Sequence, residues 1–131
     1  MDERDVRAWF DEYLTAFAAA GRGELPPKDV VGFYAAPLLL TTEDVVARLV
    51  SSDEVAAWLQ TQVDGMRAAG YDRSETLSSE VRVLNSTTAL HRAEFSRRRA
   101  DGGEINAFAV TYVITRGADG LRISALVLHS P

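Results

Sequence analysis

The dipeptide Asp101-Gly102 stands between two long stretches in which apolar and polar residues alternate. Asp-Gly so placed is a strong signal for a two-residue hairpin loop. Pairing Ala100 with Gly103 sets the register of everything behind the loop. Phe95 then faces Phe108, Ala93 faces Val110 and His91 faces Tyr112. Apolar residues meet apolar residues, as register selection on a half-buried sheet requires.

The same register sorts the arginine run in "EFSRRRADGGEI". Successive strand residues point to opposite faces, so Arg97 to Arg99 do not make one basic surface. Arg97 shares the face of Phe95, and Arg98 points away. Two readings of the run follow: a solvated hairpin end, or Arg97 as an anion clamp at the mouth of a pocket.

Period-two patterning covers four strands, near Thr76–Leu84, Thr88–Arg99, Glu104–Arg116 and Leu121–His129. In "RGADG", pairing Arg116 with Leu121 sets Tyr112 opposite Ala125 and Phe108 opposite His129. The inner, apolar face then carries His91, Ala93, Phe95, Phe108, Val110 and Tyr112. It continues through Ile114 and Ile123 to Ala125, Val127 and His129. The outer face carries Leu90, Arg92, Glu94, Thr111, Val113, Leu126 and Leu128. That mixture suits a half-solvated face or a dimer contact. A three-residue loop at Asn85-Ser86-Thr87 brings Val81 and Val83 to the inner side.

The first half reads as helical. Val6, Trp9, Phe10, Tyr13, Leu14 and Phe17 recur at helical spacing, with Gly21 and Gly23 as the stop. "LPPKDVVGFY" reads as a second, shorter helix, and "LLLT" as a short buried strand. "TTEDVVARLV" reads as a small hairpin turning at Glu43-Asp44. Ser51 and Glu54 form a capping box ahead of a third helix with Val55, Leu59, Val63 and Met66 as its stripe and Gly70 as its C-cap.

At 131 residues the chain is expected to form one domain, spanning 1–131. It has no cysteine, which excludes disulfides and thiolate chemistry and fits a reducing compartment. The net charge of −5 argues against nucleic acid, whose binding relies on neutralising phosphates. No apolar run approaches the roughly 20 residues that span a bilayer. The acidic N-terminus does not read as a secretory signal. These observations set the expectation of a cytoplasmic protein without membrane or nucleic-acid partners. His91 and His129 show no metal-ligand spacing, and no phosphate loop or nucleophile elbow occurs. Neither a metal nor a cofactor is expected.

The order helix, short helix, small hairpin, long helix and long antiparallel strands resembles the nuclear transport factor 2-like superfamily. The resemblance rests on "YAAPLLLTT" after the second helix and on "FAVTYVITRGADGLRISALVLH", with Gly120-Leu121-Arg122-Ile123 as its hairpin step. The nearest branch is similar to the SnoaL-like proteins, which share this cone with steroid delta-isomerases, polyketide cyclases and scytalone dehydratase. The resemblance implies an α+β fold. Three helices of the first half pack on the concave face of a curled, mixed or antiparallel sheet, around an apolar pocket with a wide mouth.

For an isomerase, the resemblance implies a carboxylate base eight residues beyond a tyrosine in a "YA" step. Counting from Tyr34 gives Thr42, which cannot act as that base. Tyr13 has the place of the first-helix donor, and Tyr112 falls near the place of the second. The candidate chemical set is therefore Tyr112 and His91 as an acid–base pair, with Tyr13 as a further donor. Trp9, Phe17, Phe33 and Trp58 are core or pocket wall. Phe95, Phe108, Val110, Ala125 and His129 complete the candidate ligand-binding set. Two functions follow. One is a small-hydrophobic-ligand-binding protein, with cofactor-free isomerase, cyclase or dehydratase chemistry as its extension. The other is a non-catalytic interaction module, a homodimer through the outer sheet face.

Overall fold

The computed structural model describes residues 1–131. Helix α1 spans Glu3–Gly21. The Asp2 carboxylate caps it by accepting from the Asp5 amide at 2.8 Å. Its buried face is Val6, Phe10, Tyr13 and Ala20. Gly23, at φ +78°, lets the chain turn out of the helix. The second helical segment is not an α-helix. Two prolines open it and Gly32 interrupts it, and it forms two single 3₁₀ turns, Pro27–Asp29 and Val31–Phe33. Helix α2 spans Ser52–Ala68 and buries the expected stripe, Val55, Leu59, Val63 and Met66. Ser51 Oγ accepts from the Glu54 amide at 3.2 Å, and Gly70 follows the helix at φ +81°.

Six strands form one sheet: β1 Tyr34–Thr41, β2 Val46–Leu49, β3 Tyr71–Asn85, β4 Thr88–Arg99, β5 Glu104–Gly117 and β6 Gly120–His129. Their spatial order is β2-β1-β6-β5-β4-β3, with β1 parallel to β6 and every other pair antiparallel. This is the α+β arrangement of a curled, unclosed mixed sheet with the helices on its concave side. The β1–β2 hairpin turns at Glu43-Asp44, closed by the Thr42 amide donating to Val45 O at 2.9 Å. No helix is long and apolar enough to cross a membrane.

Three bulges modify the expected registers. At the Asp-Gly tip, Arg99 pairs with Gly103 around the three-residue loop Ala100-Asp101-Gly102. Gly102 takes φ +89°, the left-handed position that ends a type I hairpin turn. The extra loop residue alone would displace the register by one. A bulge at Ile105, between Arg97↔Asn106 and Arg98↔Glu104, restores it. Phe95↔Phe108, Ala93↔Val110 and His91↔Tyr112 therefore stand as expected.

The second bulge has no compensation. Arg116↔Leu121 and Ile114↔Ile123 follow the expected register, but Val113 pairs with Ala125, leaving Ser124 extra. Beyond it every β6 side chain changes face. Leu126 and Leu128 turn inward opposite Tyr112 and Val110. Ala125, Val127 and His129 turn outward beside Val113, Thr111 and Ala109. A hydrogen bond between Ser124 Oγ and Thr115 Oγ1 holds the bulged residue. In the third case the β3–β4 loop has two residues, Ser86-Thr87, with a bulge at Leu84. Val81 and Val83 still pair with His91 and Ala89 on the inner side.

The core lies between the concave face and the helices. Its fully enclosed side chains include Val6, Phe10, Leu38, Leu59, Ile114 and Ile123. Leu38 and Leu40 alternate with half-exposed Leu39 along β1, so "LLLT" is buried on one face only.

Candidate functional site

The curled sheet leaves one apolar cavity at the open end of the cone. It is walled by Leu14 and Phe17 from α1, Trp58 and Gln62 from α2, and Ser74, Phe95, Arg97, Phe108, Val110, Tyr112, Leu126 and Leu128 from the sheet, with Tyr13 at its inner end. The space open to the centres of water-sized molecules is about 50 Å³. One water needs roughly 10–15 Å³ on that measure, so the cavity has room for a few waters or a small ring.

Tyr13 and Tyr112 form the floor, and Tyr34 backs Tyr13. The Tyr13 and Tyr34 hydroxyls lie 2.5 Å apart and share a hydrogen bond. The Tyr112 ring stands 6.2 Å from that of Tyr13, edge to face. All three are buried. Burial pushes each phenol well above its ordinary value, and the neighbouring tyrosines push Tyr13 and Tyr112 further. At neutral pH the floor consists of protonated phenols able to donate a hydrogen bond.

Arg97 stands at the rim. Its guanidinium lies 4.7 Å from the centre of the Phe108 ring and 5.9 Å from that of Phe17. Burial lowers its pKa, and the surrounding tyrosines oppose that shift. It belongs to none of the ion pairs in the molecule. The other two arginines of the run have different partners. Arg98 faces Glu75 and Glu104 at 3.6 Å on the opposite side of the sheet. Arg99 donates to Ala69 O at the end of α2 at 2.9 Å. The tip is thus no uniform solvated end, and Arg97 occupies the pocket mouth.

Of the candidate residues, Tyr13, Phe17, Trp58, Phe95, Phe108, Val110 and Tyr112 converge on this cavity. Trp9 and Phe33 do not line it. They pack with each other 5.7 Å apart and flank Tyr13 from behind. Ala125 and His129 lie on the outer face. His129 Nε2 bonds to Thr111 Oγ1 at 2.9 Å, and its Nδ1 contacts Ser130 O at 2.8 Å.

His91 pairs with Tyr112 in register, with ring centres 6.0 Å apart, but no hydrogen bond joins them. Phe10 packs edge-on against both rings, 3.9 Å from His91 and 4.7 Å from Tyr112. His91 instead borders a separate crevice with Arg7, Asp11, Thr76 and Ser79. Its Nδ1 is buried without a partner. Burial, reinforced by the Arg7 charge, lowers its pKa to about 4, so the ring is neutral at pH 7. Thr42 is exposed in the β1–β2 turn, where its hydroxyl accepts from the Asp44 amide at 3.3 Å.

Strict alternation puts Leu126 and Leu128 on the outer face, and the bulge breaks that alternation. Tyr34 escaped because its strand begins four residues before the apolar run that signals it. Leu14 was legible as part of the α1 stripe, whereas nothing in the sequence marks Gln62 or Ser74.

The model of a family described as "NTF2-like protein (DUF6841)" matches residues 2–131. No curated protein matches the chain. Among solved structures, an NTF2-like protein with a cystatin-like fold from Novosphingobium aromaticivorans superposes with a TM-score of 0.73 at 14% identity, covering 97% of this chain and 80% of that one. An NTF-2-like protein of unknown function from Pseudomonas aeruginosa gives 0.72 at 14% identity, covering 95% and 96%. The yeast UBP3-associated protein BRE5 gives 0.71 at 14% identity, covering 96% and 98%. At such identities the superpositions speak for the fold alone. The family match extends over nearly every residue of the helices, the sheet and the cavity they enclose, and the chain belongs to the NTF2-like family DUF6841.

Proposed function

We propose that this chain binds a small, flat apolar molecule carrying an oxygen acceptor. The ring lies against Trp58, Phe108 and Leu126, and the oxygen accepts from the Tyr112 hydroxyl, with Tyr13 behind it. The observation that carries this reading is the chemistry of the cavity wall. It is apolar except for phenols held protonated, two neutral polar side chains and one arginine, and no carboxylate or imidazole lines it. A carbonyl oxygen finds donors there. A proton to be removed finds no side chain of matching basicity in the cavity wall, and His91 opens on a separate crevice. Ligand binding is favoured over isomerase, cyclase or dehydratase chemistry on that ground.

The test uses acetophenone, a flat ring with one carbonyl, followed by ¹⁵N NMR. Trp58 lies in the cavity wall and Trp9 outside it, so the two indole N–H signals separate site binding from non-specific effects. The Trp58 signal is expected to move saturably while that of Trp9 stays. Tyr112→Phe is expected to weaken binding by about three- to tenfold, the net worth of one neutral hydrogen bond. No saturable Trp58 response would refute the reading.

The outer face supports a second reading. Leu39, Val113, Ala125 and Val127 lie side by side across β1, β6 and β5, and Leu39 and Val127 are 38% and 37% exposed. This apolar strip suits a second copy of the chain packed face to face. A monomer in sedimentation velocity at micromolar concentration would dispose of that reading. A dimer separated by Val127→Glu would support it.

A further inference from the structure

We infer that the ligand of the cavity is a monocarboxylate whose carboxylate is held at the rim by Arg97, so that Arg97 selects for charge. This inference rests on the binding reading above and adds the ligand's charge and orientation.

The argument starts from a guanidinium without a counter-ion. Arg97 projects from the concave face of β4, between Ser74 of β3 and Asn106 of β5, both neutral. From α2 it meets Gln62 and the small-residue surface at Gly65 and Ala69. No Asp or Glu lines the cavity, and none lines the groove between α2 and β5 that Arg97 also borders. The nearest sequence carboxylates, Glu75 and Glu104, are committed to Arg98 on the other face.

A half-buried charge of this kind is costly unless something pairs with it. The faces of Phe108 and Phe17 supply part of the compensation. They leave the N–H edge of the fork free of any side-chain acceptor, because no hydrogen bond from Arg97 occurs within the protein. A planar guanidinium with a free edge matches a planar carboxylate through two parallel hydrogen bonds. Arg97 and Tyr112 line the same cavity, so the ring of such a ligand lies along the apolar wall and its carboxylate, on Arg97, takes the place of the oxygen that a neutral ligand sets on Tyr112. The cavity is too small for more than a ring-sized body, which leaves the carboxylate at the rim.

Benzoate and acetophenone differ little in shape and differ by one charge. The experiment measures both dissociation constants from the Trp58 signal, in the native chain, in Arg97→Gln and in Arg97→Lys. The native protein is expected to hold benzoate about tenfold or more tightly than acetophenone, as a charge-assisted pair implies. Arg97→Gln is expected to abolish that ratio, and Arg97→Lys to retain a reduced ratio because it keeps charge without the fork. Equal binding of the two in the native protein, or a preference that survives in Arg97→Gln, would overturn the carboxylate inference and leave the binding reading intact. Failure of both ligands to move Trp58 would overturn the binding reading and this inference with it.

Discussion

Tyr112 faces Leu126 across the last two strands, while Ala125, one residue earlier, faces away from the cavity beside Val113. The exchange is the work of one residue, the bulged Ser124. It decides which β6 side chains line the cavity.

Enlarging either face separates the two environments. Leu128→Trp adds bulk at a half-buried position on the cavity wall. It is expected to weaken acetophenone binding by more than about tenfold while the chain stays folded, since overpacking a site of this kind costs roughly 1–3 kcal/mol. Ala125→Trp adds similar bulk outside and is expected to leave the dissociation constant within about twofold. Parallel NMR titrations of the two variants check both.

The tyrosines predict alkaline behaviour. The chain has four, and burial raises all of them, Tyr71 included. A phenol whose folded pKa is raised contributes stability below pH 10, lost as the unfolded chain ionises above it. Absorbance at 295 nm is therefore expected to show the phenolates of Tyr13, Tyr34 and Tyr112 only with unfolding, in a cooperative step that coincides with loss of circular dichroism. Four independent ionisations near pH 10 would contradict the burial.

His91 sets the acid side. Its folded pKa of about 4 lies below the ordinary 6.5, so the folded state favours the neutral ring. The contribution is intact above pH 6.5. It is lost as the unfolded chain takes up a proton between pH 6.5 and 4, to a total of about 3 kcal/mol. Urea unfolding at pH 7.5 and 4.5 is expected to show this loss in the native chain. In His91→Gln the part of the pH dependence owed to this ring should be absent.

Gly21 is fixed by contact, not by conformation. A Cβ there would stand 2.6 Å from Met66 Cε and 2.8 Å from the Tyr71 ring. Met66 can yield, but the Tyr71 ring is held by a hydrogen bond to Ser74 at 2.8 Å. At the last residue of α1, Gly21→Ala gains at most about 1 kcal/mol of helix propensity. It is nevertheless expected to destabilise the protein by about 1–2 kcal/mol net, through overpacking. A higher melting temperature for the variant would contradict this.

The last three strands, the α1 and α2 stripes, the Glu43-Asp44 turn and the pairing of His91 with Tyr112 were legible, because each is written in periodicity or turn chemistry. The start of β3 was not: it begins at Tyr71, directly after Gly70, and not near Thr76. The Asp-Gly register survived a wrong loop length only because Ile105 cancels the extra residue. Ser124 was not legible. A bulge depends on which pairings the whole sheet prefers, and a serine among apolar residues looks like an ordinary outward position. That His91 opens on a crevice of its own was hidden for a related reason. Register shows that two side chains share a face, but not which cavity each borders.

The parallel pairing of β1 with β6 joins residues about as far apart as the topology permits, such as Leu40 with Leu126. During synthesis β1 and its hairpin partner emerge early and then wait for almost the whole remaining chain before their sheet neighbour exists. Such non-local pairings are reached slowly. The docking of β1 also delivers Tyr34 to Tyr13, so the floor of the cavity is assembled in the step that completes the sheet. A nascent or partly unfolded chain in which this step has not occurred would have its antiparallel strands and an unfinished cavity, and the Tyr13–Tyr34 contact would report that folding is finished.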